Sequence, residues 1–276
     1  MQEINVPFCG VNTFVRYEEN GTGLPIVLLH GFTGDSRDWV NFFRKVPIDR
    51  PWVAIDLLGH GQTDAPETAL RYQMEHQIAD ISAVIDHLHL RSFILLGYSM
   101  GGRTALAYAV QHAHHVASLV LESASPGLST EDERNQRRAS DELLAKRILE
   151  VGTDQFSEEW ANIALFSSQN GLSKEDKALS QAVRKSQRAV GLAGSLRGMG
   201  SGSQPSLWTA LSQLPMPVLL ISGEQDHKFT QIAAAMQQAI PHATRVIVEG
   251  AGHNVHLESP NAFWKEVEYF MRAISR

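Results

Sequence analysis

The chain has 276 residues, 43% of them hydrophobic and 20% charged, with a formal net charge of -6. That is enough apolar material for a large buried core, and the negative field opposes nucleic acid as a partner. Cys9 is the single cysteine, which excludes an intramolecular disulfide and a thiolate-based zinc site and suits a reducing compartment.

Residues 1–21 include Glu3, Arg16, Glu18 and Glu19 and lack the apolar stretch of a signal peptide. No run approaches the ~18 apolar residues that span a bilayer. A cytoplasmic, soluble protein without membrane insertion is expected, as a monomer or weak homo-oligomer. Apolar runs at Ile26 to Leu29 and Trp52 to Ile55 predict the first strands, and Ile78, Ile81, Ile85 and Leu88 recur at helical spacing. Phe93 to Leu96 and Val116 to Leu121 predict two more strands, with a helix over Thr104 to Val110 between them. Val218 to Ile221 and Arg245 to Val248 complete the set, and Pro260, preceded by Ser259 as the cap, opens a closing helix. Strand and helix alternate as in a mostly parallel, doubly wound α/β sheet covered on both faces.

The alternation lapses over residues 126–212, where charged helical patterns continue without a convincing strand. The expected organisation is a core of residues 1–125 and 213–276 with a helical insertion, a lid, over 126–212. Between Lys177 and Gly223 there is no Asp or Glu, whereas Lys177, Arg184, Lys185, Arg188 and Arg197 are basic. A solvated helix face explains such a run without any function. Gly198 to Ser206 reads as a short loop.

Gly97-Tyr98-Ser99-Met100-Gly101 stands between a predicted strand and a predicted helix, the context that the G-x-S-x-G nucleophile elbow requires. A serine hydroxyl needs an imidazole to take its proton and a carboxylate to orient that imidazole. Asp226 and His253 follow in that order, each just after a strand, at the sheet edge where α/β sites form. Glu224 competes with Asp226 but reads as structural, and His256 as a neighbour of His253. His112, His114 and His115 read as an exposed helix end rather than a metal site. His30-Gly31-Phe32-Thr33-Gly34 follows the first strand, so the backbone N–H groups of Phe32 and Met100 are expected to form an oxyanion hole. Phe32 reads equally as core packing. Asp56 and Gly59-His60-Gly61 are expected to shape a turn. Arg103, four residues beyond Ser99, suits an anionic substrate, with a surface ion pair as the alternative.

With elbow, oxyanion loop and ordered triad in place, the chain resembles the α/β-hydrolase superfamily over nearly its whole length. Gly97 to Arg103, Glu122-Ser123 with Pro126-Gly127-Leu128, Gly223 to Phe229, and Gly198-Met199-Gly200 to Leu207-Trp208 are similar to the 2-succinyl-6-hydroxy-2,4-cyclohexadiene-1-carboxylate synthases of menaquinone biosynthesis. The resemblance implies a cofactor-free, metal-free lyase that eliminates pyruvate from a small tricarboxylate, with Ser99 as general base. It also implies that Arg103, Arg137 and Arg184 bind carboxylates, with Arg134 and Arg138 as competitors for the middle position. Tyr98, Trp160 and Lys228 match further pocket positions. An esterase or carbon-carbon hydrolase, and a non-catalytic receptor for a small anion, are the alternatives. The intact triad speaks against the receptor.

Overall fold

The computed structural model describes residues 1–274. The chain opens with a hairpin of β1 (Gln2–Phe8) and β2 (Val11–Glu18), paired antiparallel through Phe8 and Val11. Its two-residue turn, Cys9-Gly10, has both φ angles positive, as tight hairpins require. The sequence reading missed this hairpin because only Val6 of β1 is buried, so no apolar run marks it.

Next come β3 (Ile26–Leu29), α1 (Ser36–Lys45), β4 (Trp52–Ile55), α2 (Met74–His87), β5 (Phe93–Tyr98), α3 (Met100–Gln111) and β6 (Val116–Glu122). Three α-helices intervene before the sheet resumes, with 3-10 turns at Ala164–Gly171 and Trp208–Gln213: α4 (Glu131–Ala161), bent at Gly152 where φ is 73°, α5 (Lys174–Lys185) and α6 (Ala189–Met199). The chain closes with β7 (Val218–Gly223), α7 (His227–Ala239), β8 (Ala243–Val248), α8 (Val255–Glu258) and α9 (Pro260–Ile274). Gly198 and Met199 thus end a helix rather than begin a loop. Ser259 serves α9 through its carbonyl, which accepts from Phe263 N–H at 2.9 Å, and not through a side-chain cap.

The eight strands form one sheet in the order β1-β2-β4-β3-β5-β6-β7-β8, parallel from β4 to β8. The fully buried runs of β3, β4, β5 and β7 reflect cover on both faces. One face packs on Trp39 and Phe42 of α1 and Phe263 and Val267 of α9. The other packs on Ile78 and Ile81 of α2, Leu106 of α3 and Met236 of α7. Edge strand β8 is only half-buried and begins at Ala243, two residues before the run Arg245 to Val248 that predicted it.

The insertion has its own small core, Ala145, Ile148 and Phe156 of α4 against Leu192, Ala193 and Leu196 of α6. Thr130 and Glu133 form a reciprocal capping box at the start of α4. The α6 helix lies directly on the main body: a Cβ at Gly191 would sit 2.0 Å from the Gly59 carbonyl oxygen, and one at Gly194 2.5 Å from the Tyr72 ring. Just before α6, buried Gln187 donates to Asp35 Oδ2 at 2.9 Å and accepts from Gly61 N–H at 2.9 Å. Arg188 donates to the Thr63 carbonyl.

Candidate active site

Ser99, Asp226, His253 and the loop 30–34 all emerge at carboxyl ends of parallel strands, β5, β7, β8 and β3. Ser99 has φ 51° and ψ -107°, a left-handed conformation that a non-glycine residue holds only when its surroundings enforce it. The flanking glycines make that enforcement sterically feasible. A Cβ at Gly97 would lie 2.3 Å from the Gly101 carbonyl oxygen, and one at Gly101 2.3 Å from that of Leu29.

The structure brings the three sequence-predicted residues into one chain of hydrogen bonds. His253 Nε2 lies 3.0 Å from Ser99 Oγ, and His253 Nδ1 lies 2.6 Å from Asp226 Oδ2. The carboxylate selects the tautomer with hydrogen on Nδ1, which leaves Nε2 to accept from the serine. Asp226 is also the N-cap of α7, its Oδ1 accepting from Phe229 N–H at 3.3 Å, so the helix start fixes the carboxylate. The Phe229 ring packs 4.7 Å from the imidazole. Glu224 is exposed and accepts from Gly250 N–H, a loop contact. His256 is buried: its Nδ1 donates to Glu122 Oε2 at 2.7 Å and its backbone N–H to Oε1 at 2.9 Å, tying the segment after His253 to the end of β6.

Met100 is the first residue of α3, where N–H groups lack intrahelical acceptors. Phe32 lies in a tight turn closed by Gly34 N–H donating to the Gly31 carbonyl at 3.1 Å. His30 anchors that turn, its Nε2 accepting from Leu57 N–H at 3.0 Å. Buried Asp56 accepts from Ser36 and Gln62 N–H groups and so holds the next turn. His112, His114 and His115 cluster around Tyr108 at the end of α3, remote in the fold from these groups.

The arginines fall into place unevenly. Arg103 donates to the Met199 carbonyl at 3.0 Å and to Gln204 Oε1 at 2.5 Å, so it is not a surface ion pair. Burial, with Arg137 nearby, lowers its pKa to about 10. Arg137 is held by Asp141 at 2.7 Å. Arg134 instead serves the Leu128 carbonyl and Glu131, and Arg138 the Gly202 carbonyl and Glu131, so Arg137 is the one of the three that shares a field with Arg103. Arg184 donates to Gln169 Oε1 at 3.2 Å and lies 5.4 Å over the Phe166 ring; burial lowers its pKa.

Trp160 stacks on Phe156 at 5.6 Å and meets Phe32 edge-on at 5.4 Å, with its buried indole N–H unpartnered among the described residues. Buried Tyr98 lies 5.5 Å from the His253 ring, and burial raises its pKa well above the usual value. Lys228 stands apart, exposed and 5.6 Å from the Phe229 ring centre. Beside Tyr98 and Phe32 opens a narrow cavity whose wall includes Asp38, Phe166, Arg184 and His256 but neither Ser99 nor His253.

The sequence reading missed Phe166 and Asp38; it named Phe229, Glu122 and His256 without the packing of Phe229 on His253 or the pairing of Glu122 with His256. Asp141 was discoverable, being four residues from Arg137 on one helix. The others meet the site only through tertiary packing.

The alpha/beta hydrolase fold model matches residues 25–260. A protein of Bacillus subtilis (strain 168) named putative 2-succinyl-6-hydroxy-2,4-cyclohexadiene-1-carboxylate synthase is 42% identical over 265 residues, 96% of each chain. The 2-succinyl-6-hydroxy-2,4-cyclohexadiene-1-carboxylate synthase of Enterobacter sp. (strain 638) is 32% identical, over 87% of this chain and 89% of its own. The solved structure of MenH from S. aureus superposes with a TM-score of 0.89 at 32% identity, covering 95% of this chain and 99% of that one.

Proposed function

The chain belongs to the alpha/beta hydrolase fold family and, within it, to the 2-succinyl-6-hydroxy-2,4-cyclohexadiene-1-carboxylate synthase family, and from that premise we propose that it is a carbon-oxygen lyase of menaquinone biosynthesis. It eliminates pyruvate from 2-succinyl-5-enolpyruvyl-6-hydroxy-3-cyclohexene-1-carboxylate. The residues 126–212 form the lid over the site and supply Arg137, Trp160 and Arg184 to it.

In this reading Ser99 gives its proton to His253 Nε2 and takes the ring proton beside the succinyl carbonyl. Asp226 stabilises the imidazolium that results. The electrons of the broken C–H bond move toward the succinyl oxygen, where the N–H groups of Phe32 and Met100 meet the developing charge. Their return through the ring breaks the C–O bond and expels pyruvate as its enolate, which is protonated once, at carbon, while His253 gives up the proton it took and returns to its neutral form. The donors that would stabilise a tetrahedral ester intermediate serve an enolate equally, since both put negative charge on a former carbonyl oxygen.

The observation that carries the reading over an ester hydrolase is the pair Arg103 and Arg184. Each is hydrogen-bonded only to neutral acceptors, and Arg184 also lines the cavity beside Tyr98, so each has its charge available to a carboxylate. Pyruvate release from the authentic tricarboxylate, followed through lactate dehydrogenase, tests it. Wild-type protein releases pyruvate, and Ser99→Ala loses about 10²–10⁴-fold in kcat while still binding substrate. Absence of pyruvate release together with an acyl group trapped on Ser99 from a simple ester would replace the lyase with an esterase.

A further inference from the structure

Asp38, in the first turn of α1, lines the same cavity as Arg184, Tyr98 and His256. Its carboxyl is tucked against the loop that carries Phe32: a Cβ at Gly34 would lie 2.1 Å from Asp38 Oδ2. Its backbone N–H donates to the Asp35 carbonyl. Among the described residues, neither a hydrogen bond nor an ion pair reaches its carboxyl.

The polar side chains around it make their hydrogen bonds to other groups. Arg37 is held by Asp35 and Ser186, Lys45 by Asp176, Arg184 by Gln169, and His256 by Glu122. From α1 it faces Asp35 and Arg37, from α5 Arg184, from β5 Tyr98, and from α8 His256. The other elements packed on α1, namely β3, β4 and α9, present apolar side chains there. Burial and the charge of Asp35 push the Asp38 pKa up to about 7, against the pull of His256, Arg184 and Arg37. A carboxyl in that range is part acid and part anion at neutral pH, beside a pocket whose expected ligand is anionic.

We propose that Asp38 is a specificity-determining residue of this cavity: protonated, it donates a hydrogen bond to a substrate carboxylate beside Arg184, and ionised, it repels that carboxylate. The inference rests on the anionic substrate of the proposed function. The proton comes from solvent, so tight binding is coupled to proton uptake.

Two variants separate the roles. Asp38→Asn keeps a donor and carries no charge, and Asp38→Ala keeps neither. In wild-type protein, kcat/KM for pyruvate release falls by up to tenfold per pH unit above about pH 7, mainly through KM. Asp38→Asn lacks that alkaline limb and exceeds the wild type at pH 9. Asp38→Ala is equally flat but lower throughout. In parallel, the ¹³C carboxyl spectrum of aspartate-labelled protein contains one resonance, absent from Asp38→Asn, with a midpoint near neutrality.

An unchanged alkaline limb in Asp38→Asn, or no limb in the wild type, overturns the proposal. So does an Asp38 midpoint at about 4, the ordinary aspartate value. A wild-type protein that releases no pyruvate at any pH would overturn the proposed reaction and with it the substrate named here. The carboxyl midpoint would still report whether Asp38 holds its proton, so the two failures are distinguishable.

Discussion

Arg103 and Ser99 are four positions apart on one turn of chain, yet they became legible to different degrees. Ser99, Asp226 and His253 could be read because the elbow pattern and the order of partners are local signals. What holds Arg103 could not: the Met199 carbonyl and Gln204 lie 96 and 101 residues downstream. The same two contacts make a prediction. A lysine cannot present the guanidinium's fork, so Arg103→Lys should raise KM for the tricarboxylate about tenfold to a hundredfold, the ~1.5–3 kcal/mol of a charged hydrogen bond, with little change in kcat. Arg184→Ala should do the same. Unchanged steady-state kinetics in both variants would remove the anion pocket. Asp38 also affects folding, with a defined sign. The folded state holds its proton to higher pH than the unfolded chain, so its stabilising share is complete below about pH 4 and disappears as pH rises through about 7. Thermal melting of Asp38→Asn should therefore occur a few degrees above wild type at pH 8 and coincide with it near pH 4.

Elements with continuous apolar runs were recoverable from the chain, with ends displaced by a few residues. Met74 to Gln77 of α2 were absent from the predicted pattern, which began at Ile78, although Met74 and Gln77 are buried in the fold. The β1–β2 hairpin was invisible because its outer strand buries a single side chain. In the insertion, absence of strands was legible but the docking of α6 was not. By propensity alone, glycines 191 and 194 weaken a helix by ~1 kcal/mol each relative to alanine. Their purpose is the approach of α6 to Gly59 and Tyr72. Gly191→Ala should accordingly gain helix propensity and lose more in overpacking, a net destabilisation of roughly 1–3 kcal/mol in urea unfolding. A neutral or stabilising result would show that α6 can lift from the core at no cost.

The whole molecule is acidic, and of the basic run after Lys177 the structure places Lys185 and Arg197 in ion pairs with Glu158 and Glu142 at the surface, leaving Arg184 beside the cavity. Among the described residues no helix is long and apolar enough to cross a membrane. The sheet could be anticipated because alternating strands and helices have few compact arrangements. The relation of insertion to sheet could not, since it depends on single contacts such as Gln187 between Asp35 and Gly61. Those contacts predict the pattern of local opening. In native-state hydrogen exchange, α6 amides should be protected nearly as long as those of β5, while the exposed first turns of α4 and α5 exchange sooner. Early exchange throughout α6 would mean that the whole insertion moves as one body.

The seating of α6 also sets what can be exchanged between relatives. A lid spliced in from another hydrolase at residues 126 and 212 would bring a foreign α6 onto a native Gly59–Tyr72 surface. The joints would be sound and the interface wrong, because a backbone as close as that of Gly59 admits only a glycine at position 191. The transferable cassette is therefore discontinuous in the chain: α6 and residues 59–72 together.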